Sequence, residues 1–119
     1  MLTIDQIVKV SEKGVNVLFK DTPSHFGYKG VYEPRTHTII IYKKAIESHY
    51  DLCITLLHEF VHARDDILHS YIFFTNSQGR VSDISDSFEY EKATEQEAVN
   101  TYEENRGVLD LIKKLYRIK

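Results

Sequence analysis

The feature that most constrains how this chain can fold is the segment CITLLHEFVHARDD, Cys53 to Asp66, in which two histidines interrupt an apolar run. Its apolar residues recur at the three- and four-residue spacing of a helix that is buried along one side. We predict a helix from an N-cap at Asp51 to about Ser70. Residues four apart lie on the same face of a helix, so His58 and His62 would direct both imidazoles toward one point.

The residue that follows the first histidine completes a metal-binding pattern. Glu59 is rotated by about 100° from His58 around the helix, so its carboxylate would lie beside the point where the imidazoles meet. In the HExxH motif, two histidines bind zinc, and the glutamate is the general base for a zinc-bound water that attacks a carbonyl. The motif arises by chance in about one chain of this composition in forty, and its position on a long apolar helix favours a metal site.

A third metal ligand must come from elsewhere in the chain. One known extension of the motif has a glycine three residues after the second histidine and a third histidine three residues later. Those two positions hold Asp65 and Leu68, so this arrangement is excluded. The other known arrangement takes a glutamate from a later helix, which we predict over Phe88 to Asn105.

Periodicity separates the glutamates of this second long helix. Its apolar residues share one stripe with two of the glutamates: Phe88, Glu91, Glu95, Ala98, Val99 and Tyr102. The opposite, polar side is predicted to hold Ala93, Thr94, Glu97, Asn100, Thr101 and Glu104. Since a carboxylate that faces a core needs a partner or a metal, we predict Glu95, at the centre of the stripe, as the third ligand. Glu91, one turn earlier, is the alternative.

The rest of the chain predicts a mixture of helices and short strands. We expect a helix from Thr3 to Lys13, a strand from Val15 to Lys20, a hairpin turning at Glu33 to Thr36, a loop around Asn76 to Gly79, and a closing helix from Val108 to Tyr116. The second arm of the hairpin, His37 to Tyr42, is apolar on both faces, which favours a central strand. If this strand lay at the sheet edge instead, an extended peptide could pair with it.

Composition is that of a soluble globular chain with one domain, over residues 1–119. The net charge is −3, and no more than two basic residues are adjacent, which argues against nucleic-acid binding. No apolar run approaches the roughly 18 residues of a membrane span. The N-terminus does not resemble a signal peptide, and Cys53 is the only cysteine, so we expect a reducing compartment, the cytosol. The oligomeric state stays open.

Three stretches of the sequence resemble a known family. ITLLHEFVHARD, followed about thirty residues later by EQEAVNTY, is similar to the gluzincin clan of zinc metallopeptidases. The hairpin GVYEPRTHTIIIYKK resembles the segment before the active-site helix of the ImmA/IrrE-like peptidases, which with the minigluzincins are the smallest soluble members of the clan. The resemblance covers about Gly27 to Asn105.

The resemblance implies a fold, a cofactor and an activity. The fold would be a small zincin-like α+β fold, with a short sheet packed on the HExxH helix and a glutamate-bearing helix behind it. Zn²⁺ would be held by His58, His62 and Glu95. Glu59 would be the catalytic base of a zinc metalloendopeptidase that hydrolyses peptide bonds in a peptide or protein substrate.

Three questions stay open at the level of sequence. The donor that stabilises the oxyanion has four candidates: Tyr102, Arg106, His69 and Tyr71. Asp65 or Asp66 is a candidate to orient a metal-binding histidine. The alternatives to an active peptidase are a catalytically silent or latent metallopeptidase-like module that binds a partner, and a metal-free helical adaptor.

Overall fold

The first helix, α1, shows how local sequence sets an element boundary. The computed structural model describes residues 1–69, 73–75, 81–83 and 88–118. Helix α1 spans Ile4–Glu12 and begins at Thr3, whose side chain accepts from the backbone N–H of Gln6 while the Gln6 side chain accepts from that of Thr3. This reciprocal pair satisfies two backbone donors that have no partner within the helix. The chain then leaves the helix through Gly14, whose φ of +102° suits glycine.

A three-stranded sheet follows, with strands β1 (Asn16–Lys20), β2 (Gly30–Glu33) and β3 (Thr38–Tyr42). The order is β1-β3-β2, with β3 parallel to β1 and antiparallel to β2. The prediction of a central second hairpin arm is therefore confirmed, and the edge position that would let a peptide pair with β3 is wrong. One face of β3, with Ile39 and Ile41, is buried and the other is half-buried, so the expected burial of both faces is seen in full on one face alone.

Helix α2, which carries the HExxH motif, spans His49–Ile67 and packs between the sheet and the glutamate-bearing helix. Its N-cap is Ser48, whose side chain accepts from the backbone N–H of Asp51, so the predicted cap at Asp51 is wrong by three residues. The Asp51 carboxylate instead accepts from the backbone N–H of Glu47. The helix ends three residues before the predicted Ser70.

The second long helix, α3, spans Phe88–Glu104, close to its predicted range, but its buried face differs from the prediction. Its buried residues are Thr94, Ala98 and Thr101, whereas Phe88 is 79% exposed. Thr94 and Thr101 can be buried because their hydroxyls donate to the carbonyls of Tyr90 and Leu2. The predicted stripe is therefore correct at Ala98 and at Val99 and Tyr102, which pack against the core, but wrong at Phe88. The small face of α3 lets it approach α2 closely.

The remaining elements complete a small α+β fold. A hairpin of β4 (Phe73–Thr75) and β5 (Val81–Asp83) stands between α2 and α3 in the sequence, and α4 spans Val108–Tyr116 as predicted. The predicted loop around Asn76 lies outside the described residues. The buried apolar side chains form one cluster, to which both termini of the described fold contribute, through Leu2 and Ile112. The single domain over residues 1–119 stays a prediction.

Helix length and hydropathy also bear on membrane insertion. Among the helices that the structure describes, none combines the length and the apolar character that a bilayer span requires.

Candidate metal centre

The two histidines of the motif lie side by side on the face of α2 that meets α3. The ring centroids of His58 and His62 are 4.8 Å apart, as the spacing of one helical turn predicts. Both side chains are largely withdrawn from solvent, with 18% and 10% of their surface exposed. The structure thus brings the two imidazoles together as the sequence indicated.

Glu91 of α3 bridges the two imidazoles. One carboxylate oxygen, Oε2, lies 2.8 Å from Nε2 of His58, and the other, Oε1, lies 3.2 Å from Nε2 of His62. The potential ligand atoms of these three residues all lie within 4.8 Å of one another. Together they form a group that could hold a metal ion, and we call it the His58–His62–Glu91 triad.

Glu95, the predicted third ligand, contacts a different atom of the same histidine. Its Oε1 lies 3.1 Å from Nδ1 of His58, on the opposite side of the ring from Glu91, and its side chain is 56% exposed. This geometry favours the alternative, Glu91, as the residue that faces both imidazoles, and Glu95 as a ligand stays a prediction. From this position Glu95 can accept a hydrogen bond from the Nδ1–H of His58, which leaves Nε2 free of a proton to bind a metal.

The donor set of the triad suits zinc. Two imidazole nitrogens and one carboxylate form a common protein ligand set of catalytic zinc, which leaves a fourth position open. With zinc–ligand bonds of about 2.0–2.1 Å, neighbouring ligand atoms of a tetrahedral site lie about 3.3 Å apart. The observed contacts of 2.8 and 3.2 Å from Glu91 to the imidazoles are close to that separation.

The other nitrogen of His62 contacts a residue that the sequence analysis missed. Nδ1 of His62 lies 3.2 Å from the hydroxyl of Tyr90, and that hydroxyl donates to Oδ2 of Asp65 at 2.7 Å. Asp65 is 2% exposed, so the prediction that Asp65 or Asp66 orients a metal histidine corresponds to an indirect contact through Tyr90. The sequence offered one indication that Tyr90 lies near the site, which is that it directly precedes Glu91.

Asp65 belongs to a chain of buried charges that joins α2 to α3. Its Oδ1 accepts from Nε and Nη2 of Arg64 at 3.0 and 2.7 Å. Arg64 also donates to both oxygens of Glu97, at 2.6 and 2.9 Å. The prediction that Glu97 lies on a solvated polar side is therefore wrong, since it neutralises an arginine that is 4% exposed.

Glu59, the predicted catalytic base, is buried beside the triad. Its side chain is 6% exposed, and within the described part of the chain no hydrogen bond reaches its carboxylate. Burial raises the pKa of Glu59, and the positive charges of His62 and His58 only partly oppose this effect. Strand β2 passes close by, because a Cβ on Gly30 would lie 3.3 Å from Cγ of Glu59.

The contacts within the triad shift the pKa values of two of its members in opposite directions. Burial lowers the pKa of His58, but the hydrogen bond to Glu91 and the charges of Glu59 and Glu91 outweigh burial and raise it to about 9. Burial raises the pKa of Glu91, but the hydrogen bonds from His58 and His62 outweigh it and lower the pKa to about 2. Without a metal, His58 and Glu91 therefore form an ion pair at neutral pH.

Three of the four candidates for an oxyanion donor, His69, Tyr102 and Arg106, belong to the described part of the chain. Nδ1 of His69 lies 3.1 Å from Oδ1 of Asp65, so it extends the buried charge network. The ring of Tyr102 packs edge-on against Tyr50, with centroids 5.2 Å apart, and it carries the guanidinium of Arg106 on its face. Eleven residues separate Tyr102 from Glu91, or about 16 Å along the helix axis. Tyr71 lies outside the described residues.

Comparison of the chain with protein-family models, with curated proteins and with solved structures gave no match.

Proposed function

We propose that this chain is a zinc-dependent metallopeptidase of the gluzincin kind. The observation that carries the proposal is the convergence of His58, His62 and Glu91 beside a buried carboxylate, Glu59. Two separate helices supply this arrangement, so the HExxH spacing alone does not produce it. A structural role for the histidines alone would not require a glutamate from α3 to face both Nε2 atoms.

The triad would hold zinc through Nε2 of His58, Nε2 of His62 and the carboxylate of Glu91. A zinc ion bound there supplies Lewis-acid polarisation of a carbonyl and activation of water at neutral pH. The contacts on the far sides of both rings, from Glu95 and Tyr90, leave the two Nε2 atoms directed at one place. With three protein ligands, one position remains for water or substrate.

Glu59 would act as the general base. A base must lie within reach of the attacking water, and Glu59, which is buried, directly follows His58 and lies three residues before His62. Its raised pKa brings its proton affinity closer to neutral pH, which helps a carboxylate that must both accept and release a proton. The proton taken from water would pass to the nitrogen of the departing amine.

The strand beside Glu59, β2, supports an extended peptide as the substrate. Among the strands that the structure describes, β2 pairs with β3 alone, so its other edge can accept a further strand. The hydrogen bond from the backbone N–H of Tyr42 to the carbonyl of Lys29 fixes the register of the ladder, so that the backbone groups of Gly30 point away from β3. An extended peptide that pairs there would pass close to Glu59.

The cellular setting is a further part of the proposal. Cys53 is the only cysteine of the chain, and it is buried in the core with 1% exposure. A chain without a disulfide suits a reducing compartment, and we propose the cytosol.

Metal analysis and one substitution test the proposal. Purified protein is expected to contain about one zinc per chain and to cleave peptides from a diverse library. Glu59→Gln removes the base but keeps the three metal-binding residues, so it should retain zinc and lose at least about 100-fold in kcat. Full cleavage by this variant contradicts the mechanism. A native protein that binds zinc but cleaves no peptide indicates the silent binding module instead.

A further inference from the structure

The hydroxyl of the half-buried Tyr90 lies between His62 and Asp65, and nothing in the proposed reaction uses it. We propose that Tyr90 is a positioning residue, which transmits the orienting effect of Asp65 to His62 and fixes the tautomer with which His62 binds a divalent metal. The inference rests on the proposed function only through its zinc site, since it concerns binding of the metal and not the chemical step.

The two contacts from His62 through Tyr90 to Asp65 form what we call the relay. The single proton of the Tyr90 hydroxyl sets the direction of its hydrogen bonds. A phenol has one proton to donate, and the Tyr90 hydroxyl donates it to Oδ2 of Asp65 at 2.7 Å. The same oxygen lies 3.2 Å from Nδ1 of His62, where it can only accept. Nδ1 of His62 must therefore carry a proton, and Nε2 is the nitrogen left to bind a metal.

The acceptor at the end of the relay is itself fixed in place. The other oxygen of Asp65 accepts from Nε and Nη2 of Arg64 and lies 3.1 Å from Nδ1 of His69. Arg64 is held in turn by both oxygens of Glu97. Because these bonds occupy Oδ1 and the side chain is 2% exposed, the Asp65 carboxylate cannot turn away from Tyr90 without losing them.

The ring of Tyr90 also restricts the imidazole that it contacts. The ring centroids of Tyr90 and His62 are 5.4 Å apart, with an angle of 37° between the planes. Since Tyr90 directly precedes Glu91, one turn of α3 supplies both a member of the triad and the group that orients His62. Packing of α3 on α2 would therefore assemble the ligand and the relay in one step.

Tyr90→Phe tests the relay because it removes the hydroxyl and keeps the ring. We expect the dissociation constant for zinc to rise about 10- to 100-fold, as measured by competition with a chromophoric chelator in the absence of any peptide. The matched control is Tyr32→Phe. Tyr32 also donates to an aspartate of α2, Asp66, at 2.6 Å, but within the described part of the chain Asp66 has no contact with a metal histidine. Both variants lose one such bond, so only Tyr90→Phe should lose zinc affinity.

A spectroscopic measurement on the native protein needs no variant. In the zinc-loaded protein, the Nδ1 proton of His62 should exchange slowly with water and be visible by NMR, because His62 is buried and this proton is donated to the Tyr90 hydroxyl. A rapidly exchanging Nδ1 proton contradicts the proposal, as does a folded Tyr90→Phe protein with native zinc affinity.

The failure of this proposal can be distinguished from that of the proposed function. Zinc affinity is measured without substrate, so a protein that cleaves nothing can still confirm the relay. A native protein that binds no zinc overturns both proposals, whereas native cleavage with unchanged zinc affinity in Tyr90→Phe overturns the relay alone.

Discussion

The two histidines of the triad share one helix and one bridging carboxylate, but their surroundings differ. The Nδ1 side of His62 leads through Tyr90 to Asp65, which is 2% exposed and bound to Arg64. The Nδ1 side of His58 meets Glu95 alone among the described residues, and Glu95 is 56% exposed. The imidazole of His62 is therefore held by a buried network, whereas that of His58 is held by a carboxylate that water can replace.

Loss of a charged partner should have different effects behind His62 and behind His58. Charges in a buried network cost several kcal/mol when one partner is lost, because the remaining charge has no water to solvate it. A charge pair at the surface contributes about 0–1 kcal/mol. Substitutions in the network behind His62 should therefore affect folding and metal binding together, and substitution of Glu95, behind His58, should affect metal binding with little effect on folding.

The largest effect is expected on the His62 side, for Arg64→Ala. This change leaves Asp65 and Glu97 without their shared cation in a buried setting, and should lower the free energy of unfolding by about 3–5 kcal/mol. Urea denaturation followed by circular dichroism measures it. Arg106→Ala is the control, because Arg106 pairs with Glu103 at the surface and should cost less than about 1 kcal/mol. Equal losses in the two variants would abolish the distinction between buried and exposed sides.

Next in size is the effect of Glu91→Gln, which removes the group common to both sides. Structural zinc sites with four ligands bind with roughly 10–16 kcal/mol, so the loss of one of three protein ligands should weaken zinc binding by about 3–4 kcal/mol, several hundredfold. Competition with a chelator of known affinity measures the change. Glu103→Gln, an exposed change on the same helix, should leave affinity at the native value. A loss of zinc affinity below about 10-fold in Glu91→Gln would contradict Glu91 as a ligand and favour Glu95 as the third one.

The stability of the metal-free protein should depend on pH through the ion pair of His58 and Glu91. The pKa of His58 is raised from 6.5 to about 9, so its contribution to stability is complete below pH 6.5 and is lost as the pH rises through 9. The pKa of Glu91 is lowered from 4.5 to about 2, so its contribution is complete above pH 4.5 and is lost as the pH falls through 2.

Stability of the metal-free protein should therefore be greatest between about pH 4.5 and 6.5, and should fall by something on the order of 2 kcal/mol toward pH 9, allowing for the exposure of Glu91. Urea denaturation in the presence of a chelator at several pH values measures the profile. His58→Gln should flatten the alkaline limb of this profile. An unchanged limb in that variant would show that the pair does not set it.

The smallest effect is expected for Glu95→Gln, the exposed counterpart of Tyr90→Phe. A glutamine oxygen still accepts from Nδ1 of His58, so zinc affinity should fall by about 10-fold or less, at the low end for groups that orient a metal ligand. The chelator competition assay gives the value, and thermal unfolding of the metal-free variant should match the native protein. A loss as large as that of Glu91→Gln would identify Glu95 as a ligand, as the sequence predicted.

The sequence was sufficient to put the motif on α2 and β3 at the centre of the sheet. The placement of His58 and His62 on one face follows from 3.6 residues per turn, and the continuous apolar run of β3 indicated its central place. Even here the N-cap was wrong, because Ser48 and Asp51 are both good capping residues, and local sequence does not choose between them.

The rotation of α3 could not be predicted in the same way. Hydropathy placed Phe88 inside and Thr94 outside, yet the reverse is observed, because Thr94 satisfies its hydroxyl within the helix and takes little room. The pair between Arg64 and Glu97 also fixes this rotation, and it joins residues far apart in the chain. Which of Glu91 and Glu95 faces both imidazoles depends on that long-range contact.

The bond from Arg64 to Glu97 has a consequence for the register of the two helices. Glu91 and Glu95 are four residues apart, so sliding α3 along its axis by about 6 Å would put Glu95 in the place of Glu91 opposite the imidazoles. Such a slide would break the double contact of Arg64, and with it the bond from Thr101 to the carbonyl of Leu2. These two anchors, remote from the imidazoles, therefore select one carboxylate from an otherwise repetitive helix.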